Sequence, residues 1–180
     1  MSSFPIRPAT LRDAKTLAEL HAHTSQAAFA GLLPEDQLKA LTAPASLDKR
    51  LAYWREAIEY FDPQVHVATD GGKIVGFVAF DRSRDEKTPA TTGEIWAIYV
   101  SPAFWDKGVG LALWDAARDG LLEEGCNKVT VWTAIRNERA LRFFELAGFK
   151  REMGTARTVA RADNSGHVRI EEIRLKRGLD

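Results

Sequence analysis

The sequence predicts a mixed α/β fold in which a largely antiparallel sheet carries helices on both faces. Hydrophobic residues follow a helical period in the first third of the chain and a strand period through the middle. The predicted order is one strand, helices, three strands, a helix, a strand, a helix and two strands. We expect one domain over residues 1–180 with a core from about 4 to 177, because no repeat or linker divides the chain.

The first elements are a short strand around Ile6 and a helical segment. Thr10 followed by Asp13 has the form of a capping box, with Asp in place of Glu or Gln, and starts a helix toward Phe29. Two helical pieces are predicted over 34–41 and 46–60. In the second piece four apolar side chains share one helical face: Leu51, Trp54, Ile58 and Phe61.

The later elements begin with a hairpin, because Gly71 and Gly72 can supply positive φ between two β-rich runs. Three strands are predicted over 65–69, 73–80 and 93–100, and a glycine-rich turn over 106–110 then starts a helix that ends at about 124. A strand over 128–133 and a helix over 137–147 follow. The chain closes with a hairpin of strands 149–160 and 167–175 around a turn at 163–166.

Composition and charge exclude several classes of protein. Twenty-five basic residues balance twenty-five acidic ones, which argues against a general nucleic-acid binder or a membrane-surface protein. The single cysteine, Cys126, rules out an intrachain disulfide framework and fits a reducing compartment. The N-terminus has no signal-peptide pattern, and no stretch is apolar enough to span a bilayer. We therefore expect a cytoplasmic protein with neither nucleic acid nor membrane as a partner.

A glycine-rich turn joins a strand directly to an amphipathic helix. Gly108 and Gly110 allow the backbone to present several N–H groups to one point, and the helix N-terminus adds its positive end, which suits a pyrophosphate. Lys107 can add a charge. The Walker and dinucleotide fingerprints are absent, since residue 113 is leucine. On the glycines alone, a phosphate-binding turn and an ordinary tight turn before a helix are equally good interpretations of this segment.

A second segment follows the next strand, with Asn137 as a predicted helix N-cap and Gly148 past the helix end. Together the two segments, on this strand order, resemble the GNAT superfamily of N-acetyltransferases. The second segment is similar to that family's N-x-x-A-x-x-F-Y-x-x-x-G-F signature, and Ile6 to Asp13 is typical of its first strand and helix. The resemblance covers nearly the whole chain and implies a GNAT-like, mostly antiparallel sheet of about seven strands.

The resemblance also implies acetyl-CoA as cosubstrate, an amine as acetyl acceptor, and a set of cofactor-binding residues. Main-chain groups of Ile98, Tyr99 and Val100 are expected to pair with the pantetheine arm. The expected pyrophosphate cradle consists of Trp105, Asp106, Lys107, Gly108, Val109, Gly110 and Leu111. Asn137, Phe143 and Phe144 are expected to contact the pantetheine or lie near the thiol.

Two positions depart from the family pattern. Trp105 stands where Arg or Gln usually begins the phosphate loop, so a side-chain contact is lost. Phe144 stands where a tyrosine usually protonates the departing thiolate, and phenylalanine has no proton to give. Tyr99 is a candidate substitute acid, although an aromatic side chain in a central strand usually belongs to the core.

Thioester aminolysis needs a base, because most amines are protonated at neutral pH. Glu94 is the candidate, as a carboxylate in an apolar strand; the alternative is a structural carboxylate paired with a nearby Arg or Lys. Cys126 is interpreted as a small buried group rather than a nucleophile. His21 and His23 do not share a helix face, and no metal is predicted.

Three functions stay open: acetyl transfer to a small-molecule or peptide amine, an acyl-CoA sensor with little turnover, and transfer of a longer acyl chain. The insert over 29–60, with Trp54 and Tyr60, is expected to wall the acceptor pocket. Four arginines make the closing hairpin basic, as a solvated face or as a surface that attracts an acidic acceptor or a partner subunit: Arg151, Arg157, Arg161 and Arg169. The resemblance is compatible with a homodimer through the sheet edge or this hairpin.

Overall fold

The computed structural model describes residues 4–160 and 169–179. The strands are β1 (Ile6–Pro8), β2 (Gln64–Asp70), β3 (Lys73–Arg82), β4 (Thr92–Val100), β5 (Lys128–Ala134), β6 (Lys150–Arg151), β7 (Arg157–Ala160) and β8 (Arg169–Gly178). The α-helices are α1 (Ala14–Ala28), α2 (Glu35–Ala40), α3 (Pro44–Tyr60), α4 (Val109–Glu123) and α5 (Glu138–Leu146). Short 3-10 turns precede α1 and α4, at Leu11–Asp13 and Pro102–Phe104.

The described strands form one sheet in the order β1-β2-β3-β4-β5-β8-β6, with β7 also paired to β8. Every pair is antiparallel except β4 with β5, which are parallel. Antiparallel neighbours can be joined by tight turns, whereas the parallel pair needs a crossover, and α4 supplies it. The mixed α/β class and the mostly antiparallel sheet predicted from the sequence are confirmed.

Each face of the sheet carries its own hydrophobic core. Helices α4 and α5 cover one face, where Leu113, Trp114 and Phe144 pack on strand residues such as Val78 and Val131. Helices α1 and α3 cover the opposite face, which we call the α1/α3 face, with Leu17, Trp54, Val67 and Phe77 among its buried residues. Successive strand residues alternate between the two cores.

The predicted start of the first helical segment is confirmed. The Asp13 carboxylate accepts a hydrogen bond from the backbone N–H of Thr10 at 2.7 Å, and Arg7 donates to the same carboxylate at 2.8 Å. The Arg7 guanidinium holds the pKa of Asp13 below its usual value, although burial opposes the shift. The hairpin of β2 and β3 also forms as predicted, with Gly71 and Gly72 both at positive φ.

Two sequence expectations fail in detail. Phe61 does not share the buried face of α3, because it adopts a left-handed conformation that ends the helix and leaves it 73% exposed. The predicted strand over 149–160 is divided into β6 and β7, since the chain turns between them through Gly154 at positive φ. The sheet therefore has eight described strands rather than about seven. The predicted turn at 163–166 lies outside the described residues.

Candidate active site

A wedge opens between the two parallel strands at the centre of the sheet. β4 and β5 pair only from Thr92 with Lys128 to Ile95 with Val131. Beyond these positions each strand continues along its other neighbour, β4 to Val100 and β5 to Ala134, and no pairing joins them in the described chain. Backbone groups on the two facing edges are obligatory hydrogen-bonding groups. An extended ligand can satisfy them in the way that an added strand does.

A β-bulge in β4 lies where the wedge begins. The register of β4 against β3 shifts between Ala79, which pairs with Ala97, and Phe80, which pairs with Ile95. Trp96 is therefore the extra residue, and a bulge of this kind bends its strand and increases its twist. The bulge explains why β4 leaves β5 at this position, and it was not visible in the sequence pattern.

The glycine-rich turn lies at the start of α4. Asp106 and Gly108 both have positive φ, and Gly108 is the N-cap of the helix. Gly110 lies against α5, so closely that a Cβ there would be 3.0 Å from the Phe143 ring. The first-turn N–H groups of a helix have no partner within it and carry the positive end of the helix dipole. The turn can therefore cradle an anionic phosphate group.

Arg139 of α5 reaches this turn, a contact that sequence reasoning missed. Its guanidinium lies 4.0 Å from the centroid of the Trp105 ring and forms a 3.4 Å ion pair with Asp106. The Trp105 indole donates to the carbonyl oxygen of Val100 at 2.8 Å, which fixes the ring. Where the family pattern has a polar side chain, this chain thus holds an aromatic platform under an arginine. Only the tertiary contact between α5 and the turn reveals it.

A hydrogen bond fixes the Asn137 side chain, and ring packing fixes the two phenylalanines of α5. The Asn137 side chain accepts the backbone N–H of Ala140 at 3.2 Å and caps α5, as predicted. Phe143 is half-buried, whereas Phe144 is buried and packs edge-to-face with Phe143 and Phe149 at 5.2 and 5.3 Å between ring centroids. The proximity of these side chains to a bound thiol stays a prediction.

Glu94 is a buried carboxylate on the α1/α3 face, only 1% exposed. It accepts a hydrogen bond from the backbone N–H of Arg84 at 2.9 Å and two more from the Arg84 guanidinium, one of them from Nε at 3.2 Å. The arginine partner considered as an alternative is therefore present. The role of Glu94 as a base stays a prediction, and any such role requires Arg84 to share or release the carboxylate.

Tyr99 packs in the same core layer. Its ring lies 4.6 Å from the ring of His21 and 5.6 Å from that of Phe77, measured between centroids. His21 Nδ1 in turn receives the indole N–H of Trp54 at 3.3 Å. These contacts are core packing, and the suggested role of Tyr99 as an acid stays a prediction.

Tyr53 of α3 is a second tyrosine on this face, and sequence reasoning did not select it. Burial raises the pKa of Tyr53, the charge of Arg84 opposes that shift, and Glu94 adds to it. The hydroxyl group is therefore protonated at neutral pH and lies within electrostatic reach of the Glu94–Arg84 pair.

A polar cluster on the neighbouring strands was also missed. The Trp132 indole donates to the Asp85 carboxylate at 3.0 Å, and the Arg157 guanidinium lies 3.5 Å from the centroid of the Trp132 ring. Arg174 bonds both Asp85, at 3.0 Å, and Glu152. Although burial would raise the pKa of Glu152, hydrogen bonds from Arg174 and Lys176 hold it below its usual value.

The segment between α1 and α2 reaches the end of β5. Phe29 and Leu33 pack with Val159, Ala134 and Ile170 in a small apolar cluster beside the wedge. Trp54 and Tyr60, the expected wall residues, do not take part: Trp54 is fully buried in the core, and Tyr60 is exposed on the far part of α3. The insert thus borders the site through residues other than those expected.

Other predicted side chains are structural. Cys126 is a free, buried thiol, and burial raises its pKa, which disfavours the thiolate.

Within residues 4–160 and 169–179, no cluster of three His, Cys, Asp or Glu side chains is arranged to hold a metal ion. In the same ranges, none of the helices combines the length and apolarity needed to cross a membrane.

Comparison with known proteins identifies relatives along the chain. Residues 32–149 match the model of the acetyltransferase (GNAT) family. YuaI, an uncharacterized N-acetyltransferase of Bacillus subtilis, is 29% identical over 133 residues, which cover 73% of this chain and 72% of YuaI. A mycothiol acetyltransferase of Propionibacterium freudenreichii is 36% identical over 97 residues, but these cover 53% of this chain and only 30% of that protein.

Solved structures match the fold over nearly the whole chain. The PaiA N-acetyltransferase of Thermoplasma acidophilum, solved with coenzyme A, has a TM-score of 0.73 at 18% identity, covering 98% of this chain and 99% of that one. A GCN5-related N-acetyltransferase of Rhodopseudomonas palustris has a TM-score of 0.76 at 22% identity, covering 99% and 98%. YncA of Salmonella typhimurium, solved with its cofactor acetyl-CoA, has a TM-score of 0.71 at 21% identity, covering 99% and 95%.

Proposed function

Because the chain belongs to the GNAT family of acetyltransferases, we propose that it moves the acetyl group of acetyl-CoA to a primary amine of a small molecule or peptide. The transfer occurs by direct attack within a ternary complex. The observation that carries the proposal is the wedge between β4 and β5, which leads to the glycine-rich turn at α4. The turn offers N–H groups to a pyrophosphate, and the wedge edges offer backbone groups to an amide-containing arm.

The residues proposed to hold acetyl-CoA are those that the family resemblance implied, and this geometry supports them. Ile98, Tyr99 and Val100 lie on the β4 edge of the wedge, and the segment 105–111, which includes the turn and the start of α4, is proposed to hold the pyrophosphate. Arg139 adds a positive charge there, which favours a pyrophosphate. When bound, acetyl-CoA supplies an acetyl thioester, whose carbonyl carbon is the electrophile.

The proposed part of the protein's own groups in the reaction is to accept a proton from the acceptor and to stabilise the carbonyl oxygen. The acceptor ammonium must lose a proton, directly or through water, and Glu94 is the proposed base. The amine nitrogen then attacks the carbonyl carbon, the C–N bond forms and the C–S bond breaks. The nitrogen loses a second proton, and the departing thiolate gains one, so the products are an amide, coenzyme A thiol and one released proton. A backbone N–H of β4 is the proposed donor to the carbonyl oxygen.

The proposed location is the cytoplasm, supported by the single free cysteine. The alternative function is an acyl-CoA sensor with little turnover. Its support is Phe144, which is buried among apolar rings and offers no proton to a leaving thiolate.

The test is release of free thiol from acetyl-CoA against a panel of amino acids, polyamines, aminoglycosides and short peptides. Glu94→Gln should lower kcat/KM tenfold or more while leaving the Kd for coenzyme A unchanged. Asp13→Asn is the matched control, because Asp13 is also a largely buried carboxylate paired with an arginine, at the start of the α1 segment. It should keep the native rate.

Each outcome separates the alternatives. Full activity in Glu94→Gln would remove Glu94 as the base and leave acetyl transfer standing. Binding of coenzyme A without thiol release for any amine would favour the sensor.

A further inference from the structure

Trp96 and Trp132 lie just beyond the last paired positions of β4 and β5, and an arginine guanidinium lies over the ring of each. Arg84 lies 4.2 Å from the centroid of the Trp96 ring, and Arg157 lies 3.5 Å from that of Trp132. Ile95 and Val131 belong to the hydrophobic core that α4 and α5 cover. Strand alternation and the bulge therefore place both tryptophans on the opposite, α1/α3 face. The two stacked arginines therefore lie on the face that carries Glu94, at the base of the wedge.

In both arginine pairs the carboxylate is buried and the guanidinium is exposed. Glu94 is 1% exposed and its partner Arg84 48%; the Glu172 side chain is 5% exposed and its partner Arg157 43%. Asp85, which accepts a hydrogen bond from Trp132 and lies 3.9 Å from Arg157, is also largely covered. An approaching molecule therefore meets the cationic end of each pair.

Both guanidiniums retain hydrogen-bonding capacity. Arg84 uses Nε and Nη2 on Glu94, and its Nη1 has no hydrogen-bond partner in the described part of the chain. Arg157 donates to Glu172 through Nη2, while its Nη1 is 3.9 Å from Asp85, too far for a hydrogen bond. Stacking on an indole holds each guanidinium plane in place, which lowers the entropy lost when a planar anion binds.

We infer that Arg84 and Arg157 bind a carboxylate of the acceptor, so that the substrate class is an amine with a carboxylate a few bonds away, as in an amino acid. This inference rests on the proposed function and names its acceptor. A planar carboxylate matches the guanidinium fork in a bidentate arrangement. Polyamines and aminoglycosides, which carry only positive charge, have no such partner here.

The same contact links acceptor binding to the base. The Arg84 guanidinium is bonded to Glu94. An acceptor carboxylate draws that guanidinium outward and leaves Glu94 with fewer hydrogen bonds, so its oxygens are free to accept a hydrogen bond from the acceptor ammonium. An amine without a carboxylate leaves Arg84 on Glu94. The acceptor class and the availability of the base are thereby coupled through one arginine.

The experiment compares amino acids with their α-carboxamides, which keep the amine and the side chain but lack the carboxylate. Thiol release from acetyl-CoA is measured for both series with the native chain, Arg84→Lys, Arg157→Met and the control Arg151→Met. Arg151 is equally exposed and also pairs with a glutamate, but it lies on β6 beside α5. Arg84→Lys keeps the charge next to Glu94, so the fold does not lose a buried pair.

We expect the native chain and Arg151→Met to favour the acids tenfold or more in kcat/KM. Arg84→Lys and Arg157→Met should lose most of this preference through a higher KM for the acids, and Arg157→Met, which does not touch Glu94, should leave turnover of the amides near the native rate. Equal turnover of acids and amides by the native chain, turnover confined to amines without a carboxylate, or a preference retained in both variants would overturn the inference and leave acetyl transfer intact. Absence of thiol release with every amine would count against the proposed function itself.

Discussion

Replacement of Gly108 by alanine tests whether the turn at α4 cradles coenzyme A. Gly108 has φ of 88° and ψ of 2°, and a Cβ added there would meet no atom within 4 Å. The cost in the native state is therefore backbone strain alone, about 1–2 kcal/mol for an L-residue in the left-handed region. The loss of unfolded-state entropy returns about 0.4–1 kcal/mol. We expect the free energy of unfolding to fall by roughly 1 kcal/mol.

The effect on ligand binding should be larger than the effect on stability. The strain is relieved if residue 108 leaves the left-handed region, and that rotation turns the following N–H groups away from a common point. We expect Gly108→Ala to weaken coenzyme A binding tenfold or more, equivalent to about 1.4 kcal/mol. Gly108→Asn should lose less, because asparagine tolerates positive φ. Urea denaturation and titration calorimetry with coenzyme A measure the two quantities.

Gly125 provides a matched control. It has φ of 83°, has no atom within 4 Å of an added Cβ, and lies just past the other end of α4. Gly125→Ala should therefore cost the same stability and leave coenzyme A affinity unchanged. Equal affinities for the two alanine variants would refute the cradle. A stability loss of 3 kcal/mol or more for Gly108→Ala would refute the strain estimate, since only a steric contact adds so much.

Two further predictions concern the ends of helices. Asp13→Asn should lower the free energy of unfolding by about 1 kcal/mol at pH 7, because asparagine keeps an acceptor for the Thr10 N–H but loses the ion pair with Arg7. Because the folded pKa of Asp13 is lowered, this stability is present above the unfolded pKa and is lost as the pH falls through the folded value, so urea midpoints of native and variant should converge in acid. Arg139→Ala should weaken coenzyme A binding several-fold and make it less salt-dependent, because a cation leaves the turn; unchanged salt dependence would argue against its phosphate role.

The elements and motifs built from neighbouring residues could be predicted from the sequence. The capping contact of Thr10 with Asp13, the Asn137 cap and the Gly71-Gly72 turn all join residues within three positions of one another. Their physical causes, hydrogen bonds to the nearest free N–H and the freedom of glycine at positive φ, act over that range. The family resemblance was visible for the same reason, since both of its motifs are short runs at strand-to-helix junctions.

The architecture of the site depended on contacts between distant segments. The wedge exists because β4 pairs differently with β3 and β5, and a bulge at Trp96 leaves no mark on the alternation of a mostly apolar strand. Arg84 was not identified as the partner of Glu94, because it comes from the loop before β4, and any of the chain's arginines satisfies that charge pattern. The contact of Arg139 with Trp105 also joins segments that are far apart in the sequence, so it could not be predicted either.

By itself, then, the sequence determined the fold class, the family and the position of the phosphate turn, all of which follow from local hydrogen bonding and hydrophobic period. The tertiary structure decided which charges meet, which remain exposed and where the sheet opens. Side-chain pairing across the sheet depends on strand register and on the α1/α3 layer above it, and neither is a property of any single segment.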